Sequence, residues 1–260
     1  MATFDYDIGI IGGGAAGLTV AAGASQLGAR TLLVEKENAL GGDCLHFGCV
    51  PSKTLIKSAR VYHMLKHTER YGLPPVDVPP VDFSQISARI RSVIDVIQKH
   101  DSEERFCGLG AKVEFGSPEF GDEHSIRLDG RTLSARTWVI ASGSSAAVPP
   151  ISGLDRTPFI TNRELFSLDR LPASMIILGA GPIGVEMSQA FARLGTQVTV
   201  VDQSHQILPK EDRDLADALR KMLEAEGVRF HLSATIEAAA DLGHAREVRL
   251  RTADRAERRL

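Results

Sequence analysis

The chain has 260 residues, 43% of them hydrophobic, and a formal net charge of -3. That length buries most of the surface an unfolded chain exposes, on the order of 70%, and suits one large or two modest domains. Charges of both signs are spread along it, which excludes a basic field for nucleic acid and an acidic tail, and leaves a small molecule as the expected partner.

In chain order, Asp7-Ile-Gly-Ile-Ile-Gly-Gly-Gly-Ala-Ala-Gly reads as a strand, a glycine turn and the start of a helix, continuing to a second strand, Leu32-Leu-Val-Glu35. The uncharged run from Ile8 to Ala29 is read as neither a membrane span nor an export signal. Its many glycines make a poor isolated helix, and Asp5 and Asp7 stand where a signal carries basic residues. No membrane association and a cytoplasmic location are expected. Thiols stay reduced there, so a close cysteine pair points to catalysis or metal binding rather than to a structural staple.

Such a pair follows in Gly41-Gly-Asp-Cys44-Leu-His-Phe-Gly-Cys49-Val-Pro-Ser-Lys53. In a regular helix the stretch from Cys44 to Cys49 would advance about 7.5 Å, beyond the roughly 6.8 Å that bridged Cα atoms tolerate, so the segment must bend. Gly48 is expected to supply the freedom. Pro51 belongs in a first helical turn, which puts Cys49 at a helix N-terminus, a position that favours a thiolate. Lys53 lies about one turn on, placed to reinforce that anion or to sit beside a bound cofactor. His46 is read as a packing or hydrogen-bonding residue, and Cys107 as a buried small hydrophobe. No metal site is expected, because the segment offers too few ligands.

Leu55, Ile56, Ala59, Tyr62 and Leu65 then recur at helical spacing from Pro51 to about His67, and a proline-rich loop covers Tyr71 to Pro80. A second helix is predicted from Phe83 to His100, with Ile86, Ile90, Val93, Ile94 and Ile97 on one face. Lys112 to Gly143 holds short β runs separated by turns. Pro149-Pro150 and Ser152-Gly153 read as a linker, dividing the chain into domains 1–150 and 151–260.

At Ser174-Met-Ile-Ile-Leu-Gly-Ala-Gly-Pro-Ile-Gly the opening pattern returns without a gap and again leads to a strand, Thr199-Val-Val-Asp202. Gly12 aligns with Gly179, Gly14 with Gly181, Gly17 with Gly184, Gly28 with Gly195, and Glu35 with Asp202. The first glycine of each motif permits a tight turn, the second lets backbone approach a pyrophosphate, and the third packs helix on strand. The helix N-terminus faces the anion, and the acidic residue accepts hydrogen bonds from ribose hydroxyls. Two copies in register predict two dinucleotide sites in an α/β fold with two Rossmann-like domains.

The two glycine motifs, the cysteine segment and Ala141-Ser-Gly143 together resemble the class I pyridine nucleotide-disulfide oxidoreductases, the family of dihydrolipoamide dehydrogenase, mercuric reductase and glutathione reductase. The resemblance runs along the whole chain. It implies that reducing equivalents reach Cys44 and Cys49 through FAD, with Cys49 the flavin-facing charge-transfer thiol and Cys44 the thiol that exchanges with substrate. It places Lys53 near the flavin's reactive nitrogen, paired with Glu186. Gly12, Gly14, Ala16, Gly17, Glu35, Lys36, Gly42, Asp43, Lys53, Gly116, Ala141, Ser142 and Gly143 stand where the family holds FAD. Gly179, Gly181, Ile183, Gly184 and Asp202 stand where it holds the nicotinamide nucleotide. Ser142 replaces the usual threonine and keeps a hydroxyl, whereas Asp43 replaces a threonine with a charge that a pyrophosphate would repel. Pro182 occupies a position where some relatives carry a larger gating side chain. Asp202 suits a free 2′-hydroxyl and repels a 2′-phosphate, and no arginine follows it before Arg213, so NAD(H) is expected over NADP(H).

The resemblance also implies a longer protein. Relatives continue through the rest of the second domain, which is therefore expected to be incomplete here, into a C-terminal dimerisation domain absent from this chain. That domain supplies a proton-transferring histidine, for which His205, His231 and His244 are no substitutes. A homodimer is expected for the full-length protein, and weak or no turnover for this fragment. The activity implied is that of a dihydrolipoamide dehydrogenase, with mercuric reductase as the alternative. Outside these stand a flavin NADH oxidase, whose cysteines would not cycle, and a non-catalytic nucleotide-binding protein.

Overall fold

The computed structural model describes residues 3–260. It divides into two compact units, one made of the chain up to Pro51 with Arg89–Ala146, the other of Ser52–Ala88 with Ala147–Leu260.

The first unit opens with β1 (Tyr6–Ile11), α1 (Ala15–Gln26) and β2 (Thr31–Glu35). Alanine-rich α1 buries Gly17, Leu18, Ala21 and Ala24 along one face. Gly28, at φ 81°, ends it by donating its N–H to the Ser25 carbonyl at 3.0 Å. All of β2 is buried, as a parallel strand covered on both faces requires. Then come α2 (Gly42–His46), α3 (Cys49–Leu65) and α4 (Phe83–Gln98), the last two crossing from one unit into the other. After α5 (Glu103–Gly108) follow β3 (Ala111–Phe115), β4 (Glu119–Phe120), β5 (Ser125–Leu128) and β6 (Arg131–Ile140).

The sheet order is β3-β2-β1-β6-β5-β4. Long β6 serves both halves of it, pairing antiparallel with β5 up to Ser134 and parallel with β1 from Ala135 onward. The four parallel strands end in register, so Gly12, Lys36, Gly116 and Ala141 emerge along one edge. In open α/β sheets that carboxyl edge is where ligands bind.

The second unit contains α6 (Asn162–Leu165), β7 (Ser174–Leu178), α7 (Pro182–Leu194), β8 (Gln197–Val201), α8 (Arg213–Ala225) and β9 (Arg229–His231). Its parallel sheet has the order β7-β8-β9. The antiparallel strands β10 (Thr235–Asp241), β11 (Arg246–Arg251) and β12 (Glu257–Arg259) follow, and buried Val201, Ala234 and Leu250 pack in one cluster between the two sheets. Arg193 of α7 grips Glu226, just past α8, with two hydrogen bonds of 2.8 and 2.7 Å, and Gln189 adds a third at 3.1 Å. Burial works to raise the Glu226 carboxyl, but the hydrogen bonds and charge of Arg193 outweigh it and hold the group below the usual carboxylate range.

A single cut near residue 150 does not describe this division. It lies close to the Ala146–Ala147 junction but separates Ser52–Ala88 from the unit it packs with. The Phe83 ring stacks on Phe191 with centroids 5.8 Å apart, and the Ser87 hydroxyl donates to the Leu168 carbonyl at 2.7 Å. Nor is Ser152-Gly153 a loose linker. The Ala239 N–H donates to the Ser152 carbonyl at 2.9 Å, and Gly153, at φ 79°, lies so close to β10 that a Cβ there would fall 2.3 Å from the Ala239 oxygen. Helices outside the sequence-based expectations include α6, α8 and α5, the last with an N-cap Ser102 hydroxyl that accepts from the Arg105 N–H. Among the described residues no helix is long and apolar enough to cross a membrane.

Candidate active site

The first glycine turn leaves β1 through Gly12, at φ 108°, whose N–H donates to the Val34 carbonyl at 2.7 Å. Ala141, held by its own N–H on the Ile11 carbonyl at 2.8 Å, roofs the turn: a Cβ on Gly12 would fall 2.3 Å from its oxygen. A Cβ on Gly17 would fall 1.8 Å from the Gly12 oxygen, so α1 sits directly on the turn. Gly14 caps α1 without a side-chain hydrogen bond, and the first turn of the helix holds no acidic residue. The leading amides of α1 thus lack a side-chain cap and suit an anion.

Glu35, buried at the end of β2, accepts the Gly13 N–H at 2.6 Å and the Glu37 N–H at 2.8 Å, one on each oxygen. Gly116, at φ 145°, donates to the Glu35 carbonyl at 2.8 Å. Gly12, Gly14, Gly17, Glu35, Gly116 and Ala141 are thereby gathered at one edge of the sheet. Ala16, Lys36, Ser142 and Gly143 are exposed beside them.

The second turn repeats this geometry. Gly179 also stands at φ 108°, a Cβ on Gly184 would fall 2.1 Å from the Gly179 oxygen, and Gly181 caps α7 without a side-chain bond, followed by Pro182 in the first turn. Asp202 accepts from Ala180 and Ser204, both at 2.6 Å. Ile183 is 71% exposed at the start of α7. The difference lies over the turn: among the described residues, its two chain neighbours aside, nothing comes within 4 Å of a Cβ on Gly179.

The cysteine segment grows out of the first turn. The Gly41 N–H donates to the Gly13 carbonyl at 2.8 Å, and Gly42, at φ 57°, presses on Gly14 so closely that a Cβ would meet its Cα at 2.6 Å. The chain then bends as the spacing of the cysteines demands: α2 stops at His46, Phe47 breaks the helix, and α3 starts at Cys49 with Pro51 in its first turn. Gly48 acts differently from expectation. It is not among the glycines at positive φ; its missing side chain instead makes room for Asp43, whose carbonyl and carboxylate oxygens would lie 3.0 and 3.1 Å from a Cβ there. The Asp43 carboxylate is therefore turned into the cysteine segment.

The two thiols are hydrogen-bonded to each other. That bond, partial burial and the charges of Cys49 and Asp101 push the Cys44 thiol above its ordinary range. His46 bonds the Leu40 carbonyl at 3.0 Å and Gln98 donates to the same oxygen at 3.1 Å, which pins the strand-to-helix turn before the cysteines. Cys107 is exposed rather than buried. α5 is too short to bury more than the neighbouring Phe106, which turns Cys107 outward.

In the second unit Lys53 of α3 donates to Glu186 of α7 at 2.5 Å. The pair borders a cavity of about 310 Å³ walled by Ile56, Ala59, Gln189, Ala190 and Arg193. Among the described residues no group of three or more His, Cys, Asp or Glu side chains could hold a metal ion.

Fold and site together define a dinucleotide-binding α/β protein with two glycine turns and a dithiol anchored to the first. Residues 6–259 match the family model described as pyridine nucleotide-disulphide oxidoreductase, and the chain belongs to that family. It is 34% identical over 241 residues to a dihydrolipoyl dehydrogenase of Acholeplasma laidlawii, covering 91% of this chain and 71% of that one. It is 29% identical over 245 residues to a mercuric reductase of Bacillus cereus, covering 94% of this chain and 38% of that one. Among solved structures it is similar to the HOCl-induced flavoprotein disulfide reductase RclA from Escherichia coli, with a TM-score of 0.82 and 31% identity, covering 98% of this chain and 54% of that one. The chain thus spans 38% to 71% of the length of these relatives.

Proposed function

We propose that this chain is the dinucleotide-binding part of a disulfide reductase in which FAD occupies the first glycine turn, NAD(H) the second, and Cys44 and Cys49 cycle between dithiol and disulfide. The observation that carries this reading is the hydrogen-bonded thiol pair, set on a bend whose Gly42 rests on Gly14 of the first turn.

The first turn fits an FAD pyrophosphate: its close backbone approaches leave no room for side chains, and the leading amides of α1 face it without a cap. Glu35, already fixed by two amides, presents its remaining lone pairs to a ribose. When bound, the flavin takes a hydride's two electrons and makes them available to sulfur. Gly12, Gly14, Ala16, Gly17, Lys36, Gly42, Gly116, Ala141, Ser142 and Gly143 line this position. Asp43, turned toward Gly48, has its charge directed into the cysteine segment. Lys53, oriented by Glu186, supplies a fixed positive charge.

On the substrate side, Cys44 attacks a substrate sulfur to form a mixed disulfide. Cys49 then attacks Cys44, which releases the substrate as dithiol and closes the Cys44–Cys49 disulfide. Because the Cys44 thiol is pushed above its ordinary range, its attack needs a base to take the proton. Identity to a dihydrolipoyl dehydrogenase supports lipoamide as the disulfide. Identity to a mercuric reductase supports a second reading, Hg(II) taken up by the same two sulfurs.

Gly179, Gly181, Ile183, Gly184 and Asp202 would hold the nicotinamide nucleotide. Asp202 has both oxygens tied to backbone amides, so it cannot swing aside from a 2′-phosphate. NADH is expected to reduce the FAD-loaded protein at a concentration at least tenfold below that needed with NADPH, as read by flavin absorbance under anaerobic conditions. Equal or reversed preference would remove Asp202 as the selecting residue.

A further inference from the structure

The two turns share contacts that the sequence repeat does not display. In the first, Gly13 is held from both sides: its N–H donates to Glu35 at 2.6 Å, and its carbonyl accepts from Gly41 at 2.8 Å. In the second, the Ala180 N–H donates to Asp202 at 2.6 Å and its carbonyl accepts from Leu208 at 2.8 Å. Gly41 follows Glu35 in sequence by the same distance as Leu208 follows Asp202, and each is preceded by an apolar residue that is 1% exposed, Leu40 and Ile207. Both donors are in the left-handed region, Gly41 at φ 111° and Leu208 at φ 47°.

For glycine that conformation is ordinary; for leucine it is disfavoured and persists only where surrounding contacts enforce it. Here the contacts are the buried Ile207, the Leu208 N–H on Ala180, and the Gln206 amide on the Leu208 carbonyl at 3.4 Å. After the donor the copies diverge, Gly41 leading into the cysteine segment and Leu208 into Pro209.

We infer that Leu208 is a positioning residue for the second dinucleotide site: its backbone N–H and the Asp202 carboxylate clamp Ala180 through the peptides on either side of it, so that the turn is formed before a nucleotide arrives. The inference rests on reading the second turn as a nucleotide site. With the peptide on each side of Ala180 engaged, through its N–H and through its carbonyl, Ala180 cannot rotate that carbonyl toward the N-terminus of α7, where it would repel a pyrophosphate. A turn fixed in advance also spares the nucleotide the entropy of ordering it.

The test uses the FAD-loaded chain with ADP-ribose as probe, because binding of this nucleotide fragment involves no redox chemistry. Leu208→Pro lacks the N–H and cannot adopt a positive φ; it is expected to bind ADP-ribose at least tenfold more weakly by calorimetry. Leu208→Gly keeps the N–H and favours a positive φ; it is expected to bind as tightly as the parent or several-fold more tightly. Hydrogen–deuterium exchange gives the second readout. The peptide covering Ala180 should exchange slowly in the nucleotide-free parent and in Leu208→Gly, and fast in Leu208→Pro. Parent-like affinity in Leu208→Pro, a loss in Leu208→Gly, or fast exchange at Ala180 in the parent would each overturn the clamp. If Leu208→Pro does not fold, the glycine variant and the exchange of the parent decide. A parent protein that binds no ADP-ribose while Ala180 stays protected would sink the nucleotide reading and leave the clamp standing as a structural device alone.

Discussion

Replacing Gly17 with alanine is expected to destabilise the first unit by about 3 kcal/mol or more and to strip it of FAD. Overpacking a core with a methylene costs about 1–3 kcal/mol when side chains can shift. At Gly17 the new carbon would fall 1.8 Å from the Gly12 oxygen and 3.0 Å from its carbonyl carbon, both backbone atoms of the turn itself. The clash can be relieved only by lifting α1 off β1 or by opening the turn, and either movement withdraws the α1 amides from the anion they face. Against a typical total stability of about 5–15 kcal/mol, such a loss is severe. Gly23 provides the control. A Cβ there meets nothing within 4 Å, so Gly23→Ala in the interior of α1 should stabilise by about 0.5–1 kcal/mol through helix propensity. Denaturant unfolding of both variants reads the difference, and a Gly17→Ala variant within about 0.5 kcal/mol of the parent would contradict the close approach of helix and turn.

Removing either thiol is expected to abolish disulfide reduction, but the two losses should look different. Groups that act as a unit fail together, so Cys44→Ser and Cys49→Ser should each lower turnover on a disulfide by roughly a thousandfold or more. Cys49 opens α3, with Pro51 in the first turn of that helix, and is the sulfur proposed to face the flavin. Cys44→Ser should therefore retain a long-wavelength thiolate–flavin absorbance, and Cys49→Ser should lose it. Turnover that survives Cys44→Ser would move the protein to the flavin oxidase class, where the cysteines do not cycle.

What could be read in the sequence followed from residues whose identity dictates backbone geometry. Gly12, Gly17, Gly179 and Gly184 occupy positions that a side chain cannot share, so their spacing announced both turns. Pro51 and the cysteine spacing likewise required a bend, and the structure bends at Phe47. The reading stopped where geometry is imposed by tertiary contacts. Leucine at φ 47° gives no compositional sign of a turn, so the clamp at Leu208 is invisible beside its glycine counterpart Gly41. The grouping of Ser52–Ala88 with the second unit depends on the Phe83–Phe191 stack, between rings far apart in sequence. The exposure of Cys107 depends on the shortness of α5. That helix was itself legible, since Ser102 followed by Glu103 and Glu104 is a start signal, and so was α8 from its recurring leucines.

The central claim is that a nicotinamide's electrons reach Cys44 and Cys49 through FAD, and counting thiols during an anaerobic NADH titration tests it most directly. The chain has three cysteines. Mildly oxidised and FAD-loaded, it should expose Cys107 alone to an alkylating reagent, with Cys44 and Cys49 joined in one disulfide-linked peptide. One equivalent of NADH should restore all three thiols while the flavin returns to its oxidised form under a charge-transfer band. A flavin that is bleached by NADH while the thiol count stays at Cys107 alone would show that the electrons stop at FAD, and would contradict the account.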